Sequence, residues 1–451
     1  MLHCKFGAKV TRALHWPRDK EVKCPCPVGS SGRHNQVASA FAWLALVICS
    51  APAAAQSILT LEQAERQALG EEPGRAALLA QADALREQSV VAGQLPDPQL
   101  RFGIANFPIE AGGFSTEPMT QGQLGIRQAF PPGKTRALGT QQFEQRATEF
   151  SRIADARSRD VRTAVQHAWL DALYWQEAHE IVSDARPYFV DLVAVARSLY
   201  GVGRKDQQDV MQAELELSRL DDRLLDINQQ QMRAKARLSE WVQGVSSQRV
   251  GEGLPSWNQL PALEILIEGL DDHPRLMAAD AVIDASNTGI SLAEQQYKPG
   301  WAIDLGYGYR DGVLANGDSR SDFMSVMVTV DVPLFKANRQ DRAVAAARKE
   351  RRAARETREQ LHRELQARLR AEYARWQDLS RQVDLYERAI LPQADERAKA
   401  ALSSYQSDAS DFDDVVRSQV DALDVRVQQV RLRTERAKSY SVLANLGGLT
   451  P

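Results

Sequence analysis

Residues 301–332 read WAIDLGYGYRDGVLANGDSRSDFMSVMVTVDV and contain two runs in which large apolar side chains alternate with small or polar ones. The apolar positions of the first run are Trp301, Ile303, Leu305, Tyr307 and Tyr309. Those of the second run are Met324, Val326, Val328, Val330 and Val332. Successive side chains of a β-strand point to opposite faces, so each run predicts a strand with one apolar and one polar face. Residues 310–321 predict a long polar loop between the two strands.

The first half of the chain contains a similar pair of runs on either side of a polar stretch at residues 108–120. Their apolar positions are Leu100, Phe102 and Ile104, and then Leu124 and Ile126. A strand of about 8 to 10 residues can cross a bilayer at a tilt with its apolar face toward lipid. Aromatic residues near the strand ends are candidates for the membrane interfaces, namely Phe107, Phe130, Trp301, Tyr309 and Phe335. A half-buried sheet in a soluble domain would show the same alternation, so the periodicity alone leaves both alternatives open.

Four strands are too few to close a barrel in a membrane, where about eight are the minimum and open strand edges are not tolerated. Strands that cross a membrane would therefore require several copies of the chain. Three copies would supply twelve strands around a lumen.

The two halves of the chain carry similar residues at matching places, offset by 201 positions in the strand region and by 205 in the helical region. The matching pairs are Pro73 with Pro274, Pro98 with Pro299, Pro132 with Pro333, Pro187 with Pro392, and Tyr200 with Tyr405. We predict two copies of one unit, residues 57–250 and 262–451, joined by a linker at 251–261. Each unit holds a helix, two strands and a long helical hairpin.

The helical patterns are very long, and the first, from about 135 to 200, would span roughly 100 Å. In the second pattern, apolar residues recur every three or four positions, as in a coiled-coil seam. They are Leu361, Leu365, Leu369, Tyr373, Trp376, Leu379, Val383, Tyr386 and Ile390. The fold class is therefore predicted as mainly α, with a small membrane β-barrel if the strands cross a membrane. Pro187 and Pro392 predict a kink or a helix restart. Asp206 and Asp411 are predicted N-caps of the helices that return from each hairpin end.

A secretory signal is predicted in residues 1–55, which contain a 13-residue apolar run at 37–49 followed by an Ala53-Ala54-Ala55 cleavage site. The stretch before this run is long for a signal, so we expect the true start downstream of Met1. All four cysteines lie in this leader, so we expect an exported chain without disulfides or thiolate metal sites. It would carry 49 basic and 57 acidic residues, a net charge of −8.

Nucleic-acid binding and enzymatic activity are both disfavoured by the sequence. The whole chain has a formal net charge of −3, without the basic excess that nucleic acid requires. Beyond the leader the histidines are His167, His179, His273 and His362, none of them at the i, i+4 spacing of a helical metal pair. No nucleophile or phosphate-binding motif is present, so we predict no catalytic residues, no cofactor and no resident metal.

The duplicated unit resembles the outer-membrane efflux protein family, the TolC-like channels, over nearly all of the exported chain. The most specific motif is the hairpin end, an aromatic residue and a glycine followed by Asp-Val, here Tyr200, Gly203 and Asp209-Val210. The second copy has Tyr405 and Asp414-Val415, with Asp408 in place of the glycine. Residues 95–108 (LPDPQLRFGIANFP), 128–134 (QAFPPGK) and 390–405 (ILPQADERAKAALSSY) look most like the heavy-metal branch of the family.

This resemblance implies a homotrimer with a twelve-stranded barrel in the outer membrane, in contact with its lipid, and a helical tunnel that extends into the periplasm. It also implies a periplasmic adaptor and an inner-membrane pump of the resistance-nodulation-division type as partners. The channel would be the passive exit duct for substrates, heavy-metal cations in this branch.

The resemblance places the closed periplasmic aperture at the hairpin ends. Asp209 and Asp414 match acids that line it, and neighbouring residues extend the candidate site, which comprises Tyr200, Gly203, Asp206, Asp209, Tyr405, Asp411, Asp413 and Asp414. Several carboxylates from three copies near one axis would repel each other and attract cations. The same acids could instead serve only as helix caps.

Two other functions remain open from the sequence. A periplasmic coiled-coil adaptor or scaffold protein would share the leader and the long hairpins, although it would not need four alternating strands. The same channel fold could also export drugs or other organic compounds.

Overall fold

The computed structural model describes residues 58–70, 72–251, 253–407 and 409–449; the predicted leader at 1–55 and Asp408 lie outside these ranges. The fold is mainly helical, as predicted. The helices and strands in chain order are β1 Ile58–Leu59, α1 Leu61–Gly70, α2 Pro73–Ala92, β2 Gln99–Ala105, β3 Gln121–Phe130, α3 Thr135–Gly201, α4 Gln207–Leu238, β4 Arg249–Val250, α5 Leu263–Glu268, α6 Pro274–Gln295, β5 Trp301–Tyr309, β6 Phe323–Val330, α7 Gln340–Leu385, α8 Leu391–Gln406 and α9 Phe412–Gly447.

Four helices lie side by side in the order α2, α3, α6, α7. Helices α2 and α6 each begin at a proline, Pro73 and Pro274, whose fixed φ and missing N–H suit the first turn of a helix. The residue before each proline caps the helix through its side chain. Glu72 accepts the N–H of Arg75, and Nδ1 of His273 accepts that of Arg275 at 3.2 Å.

The two long hairpins share one apolar core. Buried residues of α3, α4, α8 and α9 pack together in it, namely Ala178, Val182, Phe189, Leu192, Val193, Ala196, Ala213, Leu220, Ile227, Tyr405, Phe412, Val415, Val416 and Leu423. The hairpins therefore form one four-helix body.

Helix α3 contains 67 residues and runs through Pro187 to Gly201 without interruption, so of the kink or restart predicted at Pro187 the restart does not occur. Phe189, Leu192 and Val193 are buried just beyond the proline, and their packing holds the helix together across the missing hydrogen bond. The second unit differs from the first. A π-helical turn at Tyr386–Ile390 separates α7 from α8, and Pro392 lies in the first turn of α8, where its missing N–H costs little.

The four predicted strands form one antiparallel sheet in the order β2-β3-β5-β6. Its register pairs Arg127 with Asp304 and Leu124 with Tyr307, so side chains of like character share a face across all four strands. Within the described chain, β2 and β6 each have a neighbouring strand on one side only. No helix in the described ranges combines the length and the apolar character that a bilayer crossing needs.

The segment Ile58–Leu59 pairs in parallel with Arg249–Val250, which the sequence did not predict. The indole Nε1 of Trp169 donates to the carbonyl oxygen of Leu59 at 3.0 Å. Gly251 has a φ of +42°, and a Cβ there would lie 2.4 Å from the Trp169 ring. This contact attaches the start of the described chain to the middle of α3.

Candidate functional site

The first hairpin end is a tight turn between α3 and α4. Gly203 has a φ of +72°, a conformation that favours glycine, and its N–H donates to the carbonyl oxygen of Tyr200 at 2.9 Å. Tyr200 itself is half exposed. In the first copy, the motif therefore places glycine where the backbone conformation favours it.

Asp206 and Asp411 immediately precede α4 and α9, in extended backbone with φ of −88° and −82°. Their predicted places at the helix starts are correct. Neither side chain forms a capping hydrogen bond to a described residue. Both carboxylates are exposed, next to the positive ends of the two helix dipoles.

Tyr405 joins the two hairpin ends. It is buried, and its ring lies edge-on to Phe412 with centroids 5.4 Å apart. Its hydroxyl donates to Oδ2 of Asp209 at 3.4 Å, and Nζ of Lys205 lies 4.8 Å from its ring centroid. Burial raises the pKa of Asp209, opposed by the Tyr405 hydrogen bond and the charge of Lys205.

Asp413 makes a second connection between the hairpins, because its Oδ1 accepts from Nε2 of Gln212 on α4 at 2.7 Å. It also pairs with Arg417 one turn along α9. Asp414, the next residue, is exposed. Farther from the ends, Arg223 of α4 pairs with Asp424 of α9 at 2.5 Å.

The structure therefore brings Asp209 and Tyr405 into contact and ties Asp413 to the opposite hairpin. Sequence reasoning missed Gln212 and Phe412, because neither carries a motif. Phe412 could have been found from its place directly after the capping Asp411, where an apolar residue at the start of a helix has to pack against something.

The sheet is the second candidate region, because its two faces differ in chemistry. One face presents large apolar side chains that are mostly exposed, including Leu100, Phe102, Ile104, Leu124, Ile126, Trp301, Leu305, Tyr307, Tyr309, Met324, Val326, Val328 and Val330. The other face carries glycine, glutamine and three charged residues, Arg101, Arg127 and Asp304. Phe130 stacks on Trp301 at the helix end of the sheet, with ring centroids 4.1 Å apart.

Among the described residues, no group of three or more His, Cys, Asp or Glu side chains is placed to hold a metal ion. Two of the histidines, His167 and His273, have structural partners. Nε2 of His167 lies 3.1 Å from the carbonyl oxygen of Lys438, and His273 caps α6. Burial lowers the pKa of both rings.

Solved structures with this fold include three membrane proteins, each aligned over 86% of this chain. CusC, studied for the conformational changes that accompany folding and transmembrane channel formation, matches with a TM-score of 0.70 and 14% identity over 91% of its length. VceC from Vibrio cholerae matches at 0.67 and 17% over 96% of its length. The CmeC outer membrane channel of Campylobacter jejuni matches at 0.68 and 11% over 85% of its length.

None of the curated proteins compared with the sequence matches it. A family model described as outer membrane efflux protein matches residues 267–449, which agrees with the resemblance found in the sequence. The chain therefore has the fold of solved outer-membrane channels, and its residues 267–449 match the outer membrane efflux protein family model.

Proposed function

We propose that the protein is the outer-membrane channel of a tripartite efflux system, a passive exit duct supplied by an inner-membrane pump through a periplasmic adaptor. The observation that carries this proposal is the sheet, whose apolar face is left exposed by the rest of the chain. Phe102 and Val326, on its two edge strands, expose 76% and 62% of their surface. A continuous exposed apolar face of this kind is typical of contact with lipid or with another protein.

The open edges of the sheet support a trimer. Strands alternate in direction through the order β2-β3-β5-β6, so β6 of one copy is antiparallel to β2 of a neighbour. Three copies joined in this way would close a twelve-stranded barrel, which leaves no unpaired edge in lipid. Helices α2 and α7 are the outer members of the four-helix layer and would meet in the same way to close the tunnel.

The orientation in the membrane follows from the ends of the sheet. Phe130 and Trp301 at the helix end and Tyr309 at the loop end would lie at the two interfaces of the outer membrane. The long hairpins would extend into the periplasm, where the adaptor docks. The leader at 1–55 would direct export, and residues 57–250 and 262–451, with the linker 251–261, would be two copies of one unit.

We assign the periplasmic aperture to the hairpin ends, at the eight residues of the candidate site. The hydrogen bond from Tyr405 to Asp209 and the bond from Gln212 to Asp413 would hold the two hairpins of a copy together in the closed state. The exposed carboxylates of Asp206, Asp411 and Asp414 would face their counterparts from the other copies and attract cations.

Fractionation and bilayer recording test the channel itself. We expect the protein in the outer-membrane fraction, as a trimer in mild detergent, with single-channel currents in planar bilayers. An adaptor or scaffold would instead wash off, or fractionate with the inner membrane, and would carry no current. Either of those results would contradict the proposal.

The proposed cargo is heavy-metal ions, and growth of a deletion strain tests it. The panel sets copper, silver, zinc, cobalt and cadmium against dyes, detergents and antibiotics. We expect selective sensitivity to metals that the intact gene restores. Sensitivity to organic compounds alone would overturn the metal cargo and leave the channel in place.

A further inference from the structure

We infer that Arg101 and Arg127, held by Asp304 on the polar face of the sheet, form an anion-attracting ring that makes the strand region charge-selective. This inference rests on the proposed trimeric channel, in which the polar face lines the lumen. It concerns the sheet and not the hairpin ends.

The three residues form one cluster. Nη1 of Arg101 lies 3.0 Å from Oδ1 of Asp304, and Nη1 of Arg127 lies 3.8 Å from Oδ2 of the same carboxylate. The carboxylate is enclosed, with 15% of its side chain exposed, whereas the Arg101 side chain is 54% exposed. One acid thus lies within ion-pair distance of two guanidinium groups, and the side chains of Arg101 and Arg127 keep 54% and 30% of their surface exposed.

Arg101 reaches Asp304 across an intervening strand. It lies on β2, Asp304 lies on β5, and β3 runs between them, so the two backbones are about 10 Å apart. The residue of β3 paired with Arg101 is Gly125, which has no side chain to block the path. The next residue in that row is also a glycine, Gly306 on β5. The sequence therefore leaves a clear path along which the long arginine lies over the sheet.

The charge of this face is positive. In the four described strands, Arg101, Arg127 and Asp304 are the charged residues, and all three lie on the polar face. Two guanidinium groups against one carboxylate leave one positive charge per copy, and three copies would place six arginines around one lumen. Guanidinium groups have fixed donors that suit multivalent anions, and a low-dielectric wall focuses their field.

The duct would then have two regions of opposite sign. The hairpin ends carry exposed carboxylates, whereas the strand region carries an excess of arginine. A bare metal cation that leaves the duct would meet a repulsive potential at the strands, while anions and anionic complexes would be favoured there. Outward flow of cations would depend on delivery from the periplasmic side.

Ion selectivity in planar bilayers tests the ring. In a KCl gradient of about tenfold, the reversal potential of Arg101→Gln with Arg127→Gln should shift toward cations. We expect the chloride-to-potassium permeability ratio to fall at least about twofold, because ring charges act within a Debye length of ~10 Å. Arg101→Lys with Arg127→Lys is the matched control, which keeps the charge and should keep the ratio. Asp304→Asn should shift the ratio in the opposite direction.

Block by a multivalent anion distinguishes the effect of the arginine ring from the effect of the acids at the hairpin ends. Hexacyanoferrate(II) is added to the compartment that faces the loops at 106–120 and 310–322. We expect it to reduce the wild-type current and to need about tenfold higher concentration in the double glutamine variant, a loss of ~1.4 kcal/mol.

Two outcomes distinguish failure of the arginine ring from failure of the proposed channel. Wild-type protein that forms no channel would overturn the proposed duct and the inference with it. Channels whose selectivity and block are unchanged in the glutamine variant would overturn the ring alone. In that case the cluster only ties β2 to β5, and the variant should lower the melting temperature of the trimer without changing its selectivity.

Discussion

His273 is buried at the start of α6, with 2% of its surface exposed, and caps the helix through Nδ1. A ring nitrogen that accepts a hydrogen bond must be unprotonated. Burial, followed by the charges of Arg159 and Arg275, lowers the pKa of His273 from 6.5 to about 4. The cap therefore depends on a neutral imidazole.

We predict that stability falls as the pH drops from about 6.5 toward 4, because the unfolded state takes up a proton that the folded state rejects. The contribution of His273 is fully present above its unfolded pKa and amounts to at most ~3 kcal/mol. His273→Asn keeps an acceptor that does not titrate, so the variant should have a flatter profile of melting temperature against pH. His362→Asn on α7 controls for the loss of a histidine. Parallel profiles for wild type and His273→Asn would contradict the prediction.

The carboxylates of the hairpin ends give a second prediction at the scale of residues. Asp209→Asn with Asp414→Asn should weaken block by a trivalent cation such as lanthanum(III) added on the hairpin side, because six negative charges leave the proposed aperture of a trimer. Single-channel conductance should change in the same variant. Asp221→Asn, which removes an acid paired with Arg186 at 2.7 Å farther along α4, is the control. Unchanged conductance and block would leave these acids as helix-end residues without a role in the aperture.

At the scale of elements, the two units use proline differently. Pro187 lies inside an unbroken α3, whereas Pro392 follows a π-helical turn that divides the second long helix into α7 and α8. The spacing of apolar residues predicts the apolar seam of both helices, but it does not show to which carbonyl oxygen each backbone N–H donates. The π-helical turn lies against α9, a contact that the sequence alone does not reveal.

The contact between Gly251 and Trp169 gives a prediction for the small parallel sheet. Gly251→Ala adds a Cβ that meets the indole ring, at a φ that alanine disfavours. We expect a loss of about 1 to 3 kcal/mol in the free energy of unfolding, measured as a lower denaturation midpoint. Gly70→Ala is the control, since no described atom lies within 4 Å of the added carbon. Equal stability of the two variants would contradict the close contact.

At the scale of the whole molecule, the two faces of β6 predict opposite outcomes for one substitution at neighbouring positions. Val326→Arg puts a charge on the face proposed to meet lipid and should cost about 2 to 4 kcal/mol near the bilayer midplane. Ser325→Arg puts the same charge on the face proposed to line the lumen and should be tolerated. Trimer recovered from outer membranes measures both. Loss of Ser325→Arg with retention of Val326→Arg would reverse the proposed orientation of the sheet.

Much of this architecture could be predicted from the sequence, because it depends on local periodicity. The four strands and the sites of the turns after Tyr200 and Tyr405 follow from patterns within about ten residues. The pairing of Ile58–Leu59 with Arg249–Val250 does not, since two-residue strands have no period.

The contacts between distant segments could not be predicted from short sequence patterns either. The cluster of Arg101, Arg127 and Asp304 depends on strand register, and the bond between Tyr405 and Asp209 depends on how two hairpins dock. Sequence reasoning named Asp209 and Tyr405 through the family motif but gave no reason for them to touch.

In the described chain, β2 and β6 are each paired with another strand on one side only, and this has a consequence for genetics. If three copies complete each other's sheet, a subunit that folds but cannot conduct will enter the same barrels as intact subunits. With equal expression and random mixing, about one trimer in eight would contain only intact copies. Defective alleles of this kind should therefore be dominant over the wild-type gene, whereas alleles that prevent folding before assembly should be recessive.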